Sequence, residues 1–533
     1  MKSVFTLIVG ALLLCPVARS QTASSLADRF KQLDRNGDGK LTRDEIPRLF
    51  DQLDANHDGV VTLEEAQQYL RANESKVGPQ SQALPPPAGP VRASAGKAFT
   101  DLRFSKDYHP GTRDARGQFM GGTETMRLIQ HKGKLFASLG VWMDVPYMKP
   151  KGDQPWTGPQ ILVKESANGP WRVDRSFPGG YIRVEGMISA TFTMDATGAR
   201  LAEPVTMLIA GPSAQETTAW SRDDATGQWT KSEVVKDARH GGVRSFCTHV
   251  DRVTGRQHLF GGTSNGCIFR AAYDPAAPGR LVWTGEPEHS GTGRVMCMAE
   301  ANGVLYAACG IKDELPLSGG LFRRVDGGSP RWELLWRWPH VVRERGDETE
   351  ILRGLTAVPD PVGGRHEVLI GTCAYPGVVY RIDPARNHAV TTELDIRAHF
   401  AKAWGVAVLR GPCLSAYNNF LPVADPESGE PVHLLGLWIN HPDGLGTENG
   451  CSAWYLVRHR DGSYAHGRVF DPKDPLPSPP RGLVAARTIE VSPFPEDKGR
   501  VLYMGGYDCA SVESHNTAWI YRGAPPAAVN KMR

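Results

Sequence analysis

The chain has 533 residues, of which 22% are charged, and its 61 lysines and arginines nearly balance its 58 acidic residues. The formal net charge of +3 excludes a strongly basic nucleic-acid-binding protein and a strongly acidic, solvating chain. The 58 glycines and 40 prolines are many for a helical protein and are typical of short strands joined by turns. A hydrophobic content of 40% is enough for a large core.

The first twenty residues have the pattern of an export signal. Lys2 supplies a basic start, and residues 4–17 form a mostly apolar run that is too short to cross a bilayer. Small residues, Ala18 and Ser20, precede the expected cleavage point. We therefore expect a signal peptide over residues 1–20 and a secreted or periplasmic mature protein without a membrane span.

Two twelve-residue segments, 34–45 and 54–65, carry acidic and amide side chains at the spacing of a calcium-binding loop. Ca²⁺ prefers about six to eight oxygen ligands, which such a loop supplies from alternate positions and a final glutamate. The predicted metal ligands are Asp34, Asn36, Asp38, Lys40 and Glu45 in the first loop and Asp54, Asn56, Asp58, Val60 and Glu65 in the second. Lys40 and Val60 would contribute backbone carbonyls. Gly39 and Gly59 permit the sharp bend at the sixth position.

The flanks of the two loops repeat as well, because the pattern from Phe30 to Asp34 recurs from Phe50 to Asp54. Residues 25–72 resemble the compact EF-hand pairs of exported bacterial proteins. The resemblance implies Ca²⁺ as the cofactor, bound weakly, with a Kd on the order of 10⁻⁴–10⁻³ M. Leu41 and Val61, at the eighth position of each loop, are expected to pair as a short bridge between the two loops.

A change of composition separates this region from the rest of the chain. Residues 73–97 are rich in proline, alanine and serine and predict an extended linker. From residue 98 onward, short apolar strands alternate with turns, without a long stretch of helical periodicity. Two domains with a spacer between them are therefore expected.

One strand pattern recurs along residues 98–525. The recurring apolar pairs are Leu135-Phe136, Leu208-Ile209, Leu259-Phe260, Leu305-Tyr306, Leu369-Ile370, Leu434-Leu435 and Leu502-Tyr503. Seven units of four strands fit a mostly β fold, a seven-bladed β-propeller preceded by the small α-helical EF-hand pair; six or eight blades also fit. Residues 99–104 are placed to complete the last blade and so close the ring.

Basic residues recur where the innermost strand of each predicted blade begins. They are Arg127, Arg244, Arg294, Arg353, Lys402 and Arg487, with His240 and His289 just upstream and Glu124 and Glu185 interrupting the series. Converging guanidinium groups favour a carboxylate, sulfate or phosphate ligand. The predicted ligand-binding residues are Arg244, Arg294, Arg353, Arg487, His240 and His289. The alternative is that each arginine pairs with a carboxylate and only ties neighbouring blades together.

Aromatic and polar residues in the loops at the same end of the strands suit carbohydrate recognition; they are Trp142, Met143, Asp144, Tyr375, His441, Asp443, Glu448, Asn449, Tyr507, Asp508 and His515. The main hypothesis is an exported calcium-binding protein whose propeller binds an anionic polysaccharide or another cell-surface ligand. The alternatives are a propeller-type polysaccharide lyase or glycoside hydrolase, and a scaffold for which the EF-hand pair is an adhesive tag. Catalytic residues, disulfide pairing and oligomeric state stay unassigned.

Overall fold

The computed structural model describes residues 30, 34, 36–45, 50–74, 99–142, 158–213, 216–311, 319–338, 340–343, 346–349, 352–373, 377–407, 409, 413–415, 418–440, 451–474, 482–507 and 516–526. These residues fall into two compact units. The small unit holds residues 30–74 and 340–349, and the main unit holds residues 99–338 and 352–526. The predicted signal peptide and residues 75–97 of the predicted linker lie outside the described residues.

Helices are short within these ranges: α1 (Phe50–Leu53), α2 (Leu63–Glu74) and α3 (Ile396–Ala403). None of them is long and apolar enough to cross a membrane. The Asp395 carboxylate begins α3 by accepting a hydrogen bond from the Ala398 N–H at 2.9 Å. Lys402 therefore lies in a helix, so its predicted place at the start of an inner strand is wrong.

Strands make up most of the remaining structure, which confirms the mostly β prediction. In chain order they are β1 (Arg103–Tyr108), β2 (Thr112–Arg113), β3 (Phe119–Met120), β4 (Glu124–His131), β5 (Lys134–Gly140), β6 (Gln160–Lys164), β7 (Arg172–Ser176), β8 (Arg183–Met194), β9 (Arg200–Ser213), β10 (Thr217–Arg222), β11 (Trp229–Val235), β12 (Val243–Val250), β13 (Gln257–Thr263), β14 (Cys267–Tyr273), β15 (Leu281–Trp283), β16 (His289–Ser290), β17 (Thr292–Ala301), β18 (Val304–Gly310), β19 (Gly319–Val325), β20 (Arg331–Arg337), β21 (His340–Arg343), β22 (Gly346–Thr349), β23 (Leu352–Pro359), β24 (Glu367–Cys373), β25 (Val378–Asp383), β26 (Ala389–Asp395), β27 (Cys413–Ser415), β28 (Leu421–Ala424), β29 (Pro431–Asn440), β30 (Cys451–Arg458), β31 (Tyr464–Arg468), β32 (Ala485–Val491), β33 (Leu502–Tyr507) and β34 (Ile520–Ala524).

Four-stranded antiparallel sheets repeat along the main unit. In chain order, the described strands group as β4–β7, β8–β11, β12–β15 with the short β16, β17–β20 and β23–β26, followed by β27 and β28 with β29–β31, and then β32–β34. Single residue pairs, Gly140 opposite Arg183 and Tyr507 opposite Glu124, connect the first group to the second and to the last. We number these sheets first to seventh. Strand β1 completes the seventh sheet, since it pairs with β34 from Arg103 opposite Ala524 to Tyr108 opposite Ile520. The start of the main unit is thereby joined to its end.

This closing strand differs in its bounds from the predicted one. Residues 99–104 were expected to pair with the last sheet, but β1 begins at Arg103 and runs to Tyr108. Phe99 precedes the strand as part of a turn, and its carbonyl accepts a hydrogen bond from the buried Tyr455 hydroxyl at 2.6 Å. The segment before β1 is thus anchored by side-chain packing instead of by strand pairing.

The hydrophobic core of the main unit lies between the faces of successive sheets. Phe136 of the first sheet packs with Leu208 of the second, and Phe260 of the third packs with Leu305 of the fourth. Similar clusters join each of the remaining pairs of successive sheets. One more cluster joins Tyr503 of the seventh sheet to the first sheet. The inner strands also contact one another, including β4 with β8, β8 with β12, β12 with β17, β17 with β23 and β32 with β4.

Charged groups connect successive sheets at their third strands. Arg222 of the second sheet binds Asp174 of the first at 2.9 and 3.1 Å, and Trp229 Nε1 donates to the same carboxylate at 2.7 Å. Equivalent groups are Lys164–Asp107–Trp171, Arg324–Glu288–Trp332 and Arg458–Glu393–Tyr464. We call these groups the inter-sheet ties. Each places a cation of one sheet on a carboxylate that the preceding sheet supplies.

Candidate functional site

The first acidic loop of the small unit is organised around Asp34. Its carboxylate accepts hydrogen bonds from the N–H groups of Gly37 at 2.8 Å, Asp38 at 3.1 Å and Gly39 at 2.7 Å. Gly39 has a φ of +80°, which glycine adopts without strain, as its predicted role in the bend requires. At the end of the loop, Glu45 Oε2 accepts from the Thr42 N–H and hydroxyl, both at 2.9 Å.

The second loop repeats this arrangement with more burial. Asp54 is 5% exposed and accepts from the N–H groups of Asp58 at 3.1 Å and Gly59 at 3.2 Å. Glu65 Oε2 accepts from the Thr62 N–H and hydroxyl, both at 2.8 Å. The other carboxylate oxygen, Glu65 Oε1, is buried and has no hydrogen-bond partner among the described residues. A buried oxygen of this kind needs a partner, and a cation can be one.

The two loops are joined by a bridge between Leu41 and Val61. Each residue donates its N–H to the carbonyl of the other at 2.8 Å, as predicted. The preceding residues, Lys40 and Val60, donate their N–H groups to the Asp38 and Asp58 carboxylates at 2.8 and 3.0 Å. The amides of Asn36 and Asn56 donate to the same carboxylates at 3.0 and 3.1 Å. Each loop therefore carries carboxylate and amide oxygens, the hard donors that suit Ca²⁺.

In the main unit, charged residues at the starts of β4, β8, β12 and β32 meet one another. Arg183 binds both Glu124, through Nε, and Glu185, through Nη1 at 3.3 Å. Arg244 Nη1 reaches the other oxygen of Glu185 at 3.3 Å, and Arg487 Nη1 reaches Glu124 at 2.8 Å. We call Glu124, Arg183, Glu185, Arg244, Arg294 and Arg487 the inner arginine cluster. These side chains come from five sheets, and they meet because the inner strands of those sheets contact one another.

The charges within the cluster act strongly on one another. Burial by itself would raise the pKa of Glu185, but attraction to Arg244, Arg183, Arg294 and Arg487 holds that pKa well below its usual range. Burial lowers the pKa of Arg244 to about 10; attraction to Glu185 opposes this, whereas repulsion from Arg294 and Arg487 adds to it. Arg127, deeper on β4, also has its pKa lowered to about 10 by burial and by repulsion from Arg487. The cluster is therefore rich in positive charge.

Three of the predicted arginines, Arg244, Arg294 and Arg487, belong to this cluster. Arg353 is half-buried near the start of β23 and is not one of the four arginines that control the charge of Glu185. The sequence prediction missed Arg183. Its spacing was the available signal, since residues two apart on a strand share a face and Arg183 precedes Glu185 by two.

The two predicted histidines make contacts with cysteines. His240 Nδ1 lies 3.3 Å from Cys267 Sγ, and His289 Nε2 lies 3.4 Å from Cys309 Sγ. Burial lowers the pKa of His289 to about 4, so this ring is neutral at pH 7. His289 therefore adds no positive charge to its surroundings at that pH. Of the predicted loop residues, Trp142 and Tyr507 are described and the others lie outside the described residues.

Residues 26–49 and 48–68 match the family model for the EF hand. The small unit thus contains an EF-hand region, which confirms that part of the sequence prediction. A comparison of the chain with curated proteins finds no match.

Several solved structures are similar to this chain at low identity. One is the α-L-arabinanase of Penicillium chrysogenum complexed with arabinobiose, at 13% identity and a TM-score of 0.35, covering 80% of this chain and 98% of that chain. Another is Sqt1 of Chaetomium thermophilum bound to the N-terminus of ribosomal protein L10, at 13% identity and a TM-score of 0.38, covering 75% and 86%. A chain of the mitotic checkpoint complex has 12% identity and a TM-score of 0.37, covering 84% and 99%.

Proposed function

We propose that this is an exported calcium-binding protein whose main unit is a seven-bladed β-propeller that binds an anionic or carbohydrate ligand. The repeated four-stranded antiparallel sheets and the pairing of β1 with β34 support the propeller. In a propeller the ends of the inner strands surround one mouth of a central channel. The inner arginine cluster, on the inner strands β4, β8, β12, β17 and β32, is then the ligand site.

Calcium binding rests on the second EF-hand loop. One carboxylate oxygen of Glu65 accepts hydrogen bonds from Thr62, and the other is buried without a hydrogen-bond partner among the described residues. A Ca²⁺ ion in the loop would take Glu65 with both oxygens, together with oxygens of Asp54, Asn56 and Asp58. The cation would balance the carboxylates of this loop, which have no positively charged partner among the described residues of the loop.

Titration calorimetry of the full chain with CaCl₂ and MgCl₂ tests this proposal. We expect Ca²⁺ to bind with a Kd on the order of 10⁻⁴–10⁻³ M and Mg²⁺ to bind more weakly. Glu65→Gln should weaken Ca²⁺ binding at least about tenfold, because it removes the charged final ligand. Glu64→Gln is the matched control, since the neighbouring side chain is exposed. Equal binding by both variants would contradict the assignment.

The ligand proposal rests on the excess of guanidinium groups over carboxylates. The two glutamates of the cluster face Arg183, Arg244, Arg294 and Arg487, so the cluster carries more positive than negative charge. Guanidinium groups bind carboxylate and sulfate with paired hydrogen bonds. Because Glu185 stays ionised under this attraction, it is poorly suited to donate a proton, and a role as the general acid of a glycosidase is not favoured.

Calorimetry with heparin and with polygalacturonate, each in CaCl₂ and in a chelator, tests the ligand proposal. We expect binding by at least one polymer, weakened roughly 10- to 100-fold in Arg294→Gln because a charged hydrogen bond is lost. Arg331→Gln on the exposed part of β20 is the matched control. Absence of binding to both polymers would overturn the proposal. Appearance of unsaturated, ultraviolet-absorbing products in the same samples would instead support the lyase alternative.

A further inference from the structure

We propose that the ligand of the inner arginine cluster is a uronic-acid sugar, recognised through its hydroxyl groups as well as its carboxylate. This inference rests on the proposed function, because it concerns the same site. The cluster alone accounts for a negative charge on the ligand. Two tryptophan side chains beside it account for the sugar.

Trp438, near the end of β29, is the first of these side chains. It is 8% exposed, and its indole Nε1 is buried without a hydrogen-bond partner in the part of the chain that the structure describes. Its ring meets the Tyr507 ring edge-on at 6.5 Å, and the Arg487 guanidinium lies 5.9 Å from the centre of that tyrosine ring. A chain of direct contacts therefore runs from Trp438 through Tyr507 to Arg487 and its partner Glu124.

Trp142 follows β5 and approaches the cluster from the first sheet. The Arg183 guanidinium lies 4.9 Å from the centre of its ring, and Arg183 binds both glutamates of the cluster. The Trp142 Nε1 atom is also buried, and none of the described residues accepts a hydrogen bond from it. Two indole N–H donors of the same kind thus adjoin the arginines, one through Arg183 and the other through Tyr507.

The chemistry of an indole decides which ligand suits these donors. An indole N–H only donates, and a buried donor without an acceptor is unfavourable by the full cost of its desolvation. Sugar hydroxyl and ring oxygens are neutral acceptors, and the C–H faces of a sugar pack on aromatic rings. A uronic acid carries these oxygens and a carboxylate on one ring. It can therefore accept hydrogen bonds from the guanidinium and indole groups at the same time. A small inorganic anion offers charge and acceptor oxygens, but it has no C–H face to pack on the aromatic rings.

Calorimetry with tri-galacturonic acid, galactotriose and sodium sulfate tests this inference. We expect the uronate to bind at least tenfold more tightly than either other probe. Trp438→Phe keeps the ring and removes the N–H, so it should weaken uronate binding roughly 2- to 10-fold and leave sulfate binding unchanged. Arg294→Gln should weaken the binding of both anions, the uronate and sulfate. Trp142→Phe provides a second variant should Trp438→Phe fail to fold, as judged by circular dichroism.

Trp220→Phe is the matched control. Its Nε1 atom is also buried without a hydrogen-bond partner in the described ranges, but its ring contacts Arg175 and Phe177 instead of the cluster. Sulfate binding as tight as uronate binding, or uronate binding insensitive to both Trp438→Phe and Trp142→Phe, would overturn the sugar assignment and leave the anion proposal standing. Equal binding of galactotriose would overturn the requirement for a carboxylate. Absence of binding to all three probes would overturn both proposals.

Discussion

The inner arginine cluster and the inter-sheet ties are built from the same residue types but differ in their balance of charge. In the tie centred on Arg324, the carboxylates of Asp251, Glu288 and Asp326 all lie within 2.8 Å of one guanidinium. In the cluster the proportion is reversed, since Glu124 and Glu185 face four arginines. The first arrangement satisfies its cation completely, and the second keeps positive charge available.

The pKa values of the arginines express this difference. Burial opposes the charge of Arg324, but hydrogen bonds to Glu288 and Asp251 outweigh it and raise the pKa. Burial lowers the pKa of Arg244 to about 10, and the nearby arginines add to that effect. A charge inside a protein therefore indicates a binding role only after its partners are known. The ties hold sheets together, and the cluster keeps an excess of positive charge, which the proposed ligand would use.

Removal of the tie at Arg324 should have the largest effect on stability. Arg324→Met keeps most of the side-chain volume but leaves Asp251, Glu288 and Asp326 without their shared cation. Loss of one partner from a buried ion pair costs about 3–5 kcal/mol, and we expect a decrease of that size in the free energy of unfolding. Urea unfolding measures it.

Arg323→Met on the same strand is the control for that experiment. Arg323 pairs with Glu333 at 2.8 Å, and its side chain is 42% exposed, so water can replace the partner. We expect a far smaller change than for Arg324. A similar loss in both variants would mean that the number of buried carboxylates does not distinguish a tie from a surface ion pair.

Glu490 tests the opposite case, a buried carboxylate that no arginine of the described residues binds. It lies on β32, is 5% exposed, and accepts hydrogen bonds from the N–H groups of Gln130 at 3.3 Å and Val491 at 3.0 Å. Burial raises its pKa from 4.5 to about 7, although these hydrogen bonds oppose the shift. The displacement corresponds to about 3 kcal/mol.

The sign of the pH effect follows from that displacement. The unfolded chain releases the Glu490 proton near pH 4.5 and the folded chain near pH 7, so stability falls between these values and is constant above them. We expect Glu490→Gln to remove this part of the pH dependence and to exceed the wild type in stability at pH 8. Urea unfolding from pH 4 to 8 measures it, with exposed Glu427→Gln as control. Unchanged pH dependence in Glu490→Gln would contradict the assignment.

Much of the strand order was predictable because a regular apolar signal carries it. Each predicted pair, from Leu135-Phe136 to Leu502-Tyr503, lies on the second strand of its sheet, where both faces are buried. The acidic loops were predictable for a similar reason, since their ligands are close in sequence and bend at fixed glycines. Local patterns of this kind do not depend on contacts between distant residues.

The composition of the cluster was harder to predict because it depends on distant contacts. Arg487 meets Glu124 only because the seventh sheet packs on the first, a sequence separation of 363 residues. The sequence alone could not show that Arg324 is a fully satisfied cation, because the Glu288 and Asp251 carboxylates that bind it lie 36 and 73 residues away. The inter-sheet ties were missed because their carboxylates come from the preceding sheet and are not adjacent in sequence.

The EF-hand loops extend the comparison to an excess of negative charge. With a Kd on the order of 10⁻⁴–10⁻³ M, 10 mM Ca²⁺ should stabilise the small unit by about 1–3 kcal/mol. The N–H groups of Leu41 and Val61, which form the bridge between the loops, are suitable reporters. We expect slower amide hydrogen exchange at both positions in Ca²⁺ than in chelator. The effect should be smaller in Glu65→Gln, and an equal effect in that variant would contradict a role for Glu65.

The smallest expected effect is that of Arg294→Gln on stability. Arg294 is half-buried, and it acts on Glu185 and Arg244 through charge, without a carboxylate bound to it among the described residues. The variant loses some attraction to Glu185 but also relieves repulsion with Arg244, so the free energy of unfolding should change by less than about 0.5 kcal/mol. Urea unfolding beside Arg324→Met measures it. A loss as large as that of Arg324→Met would make Arg294 a structural cation, and the charge excess of the cluster would then serve the fold instead of a ligand.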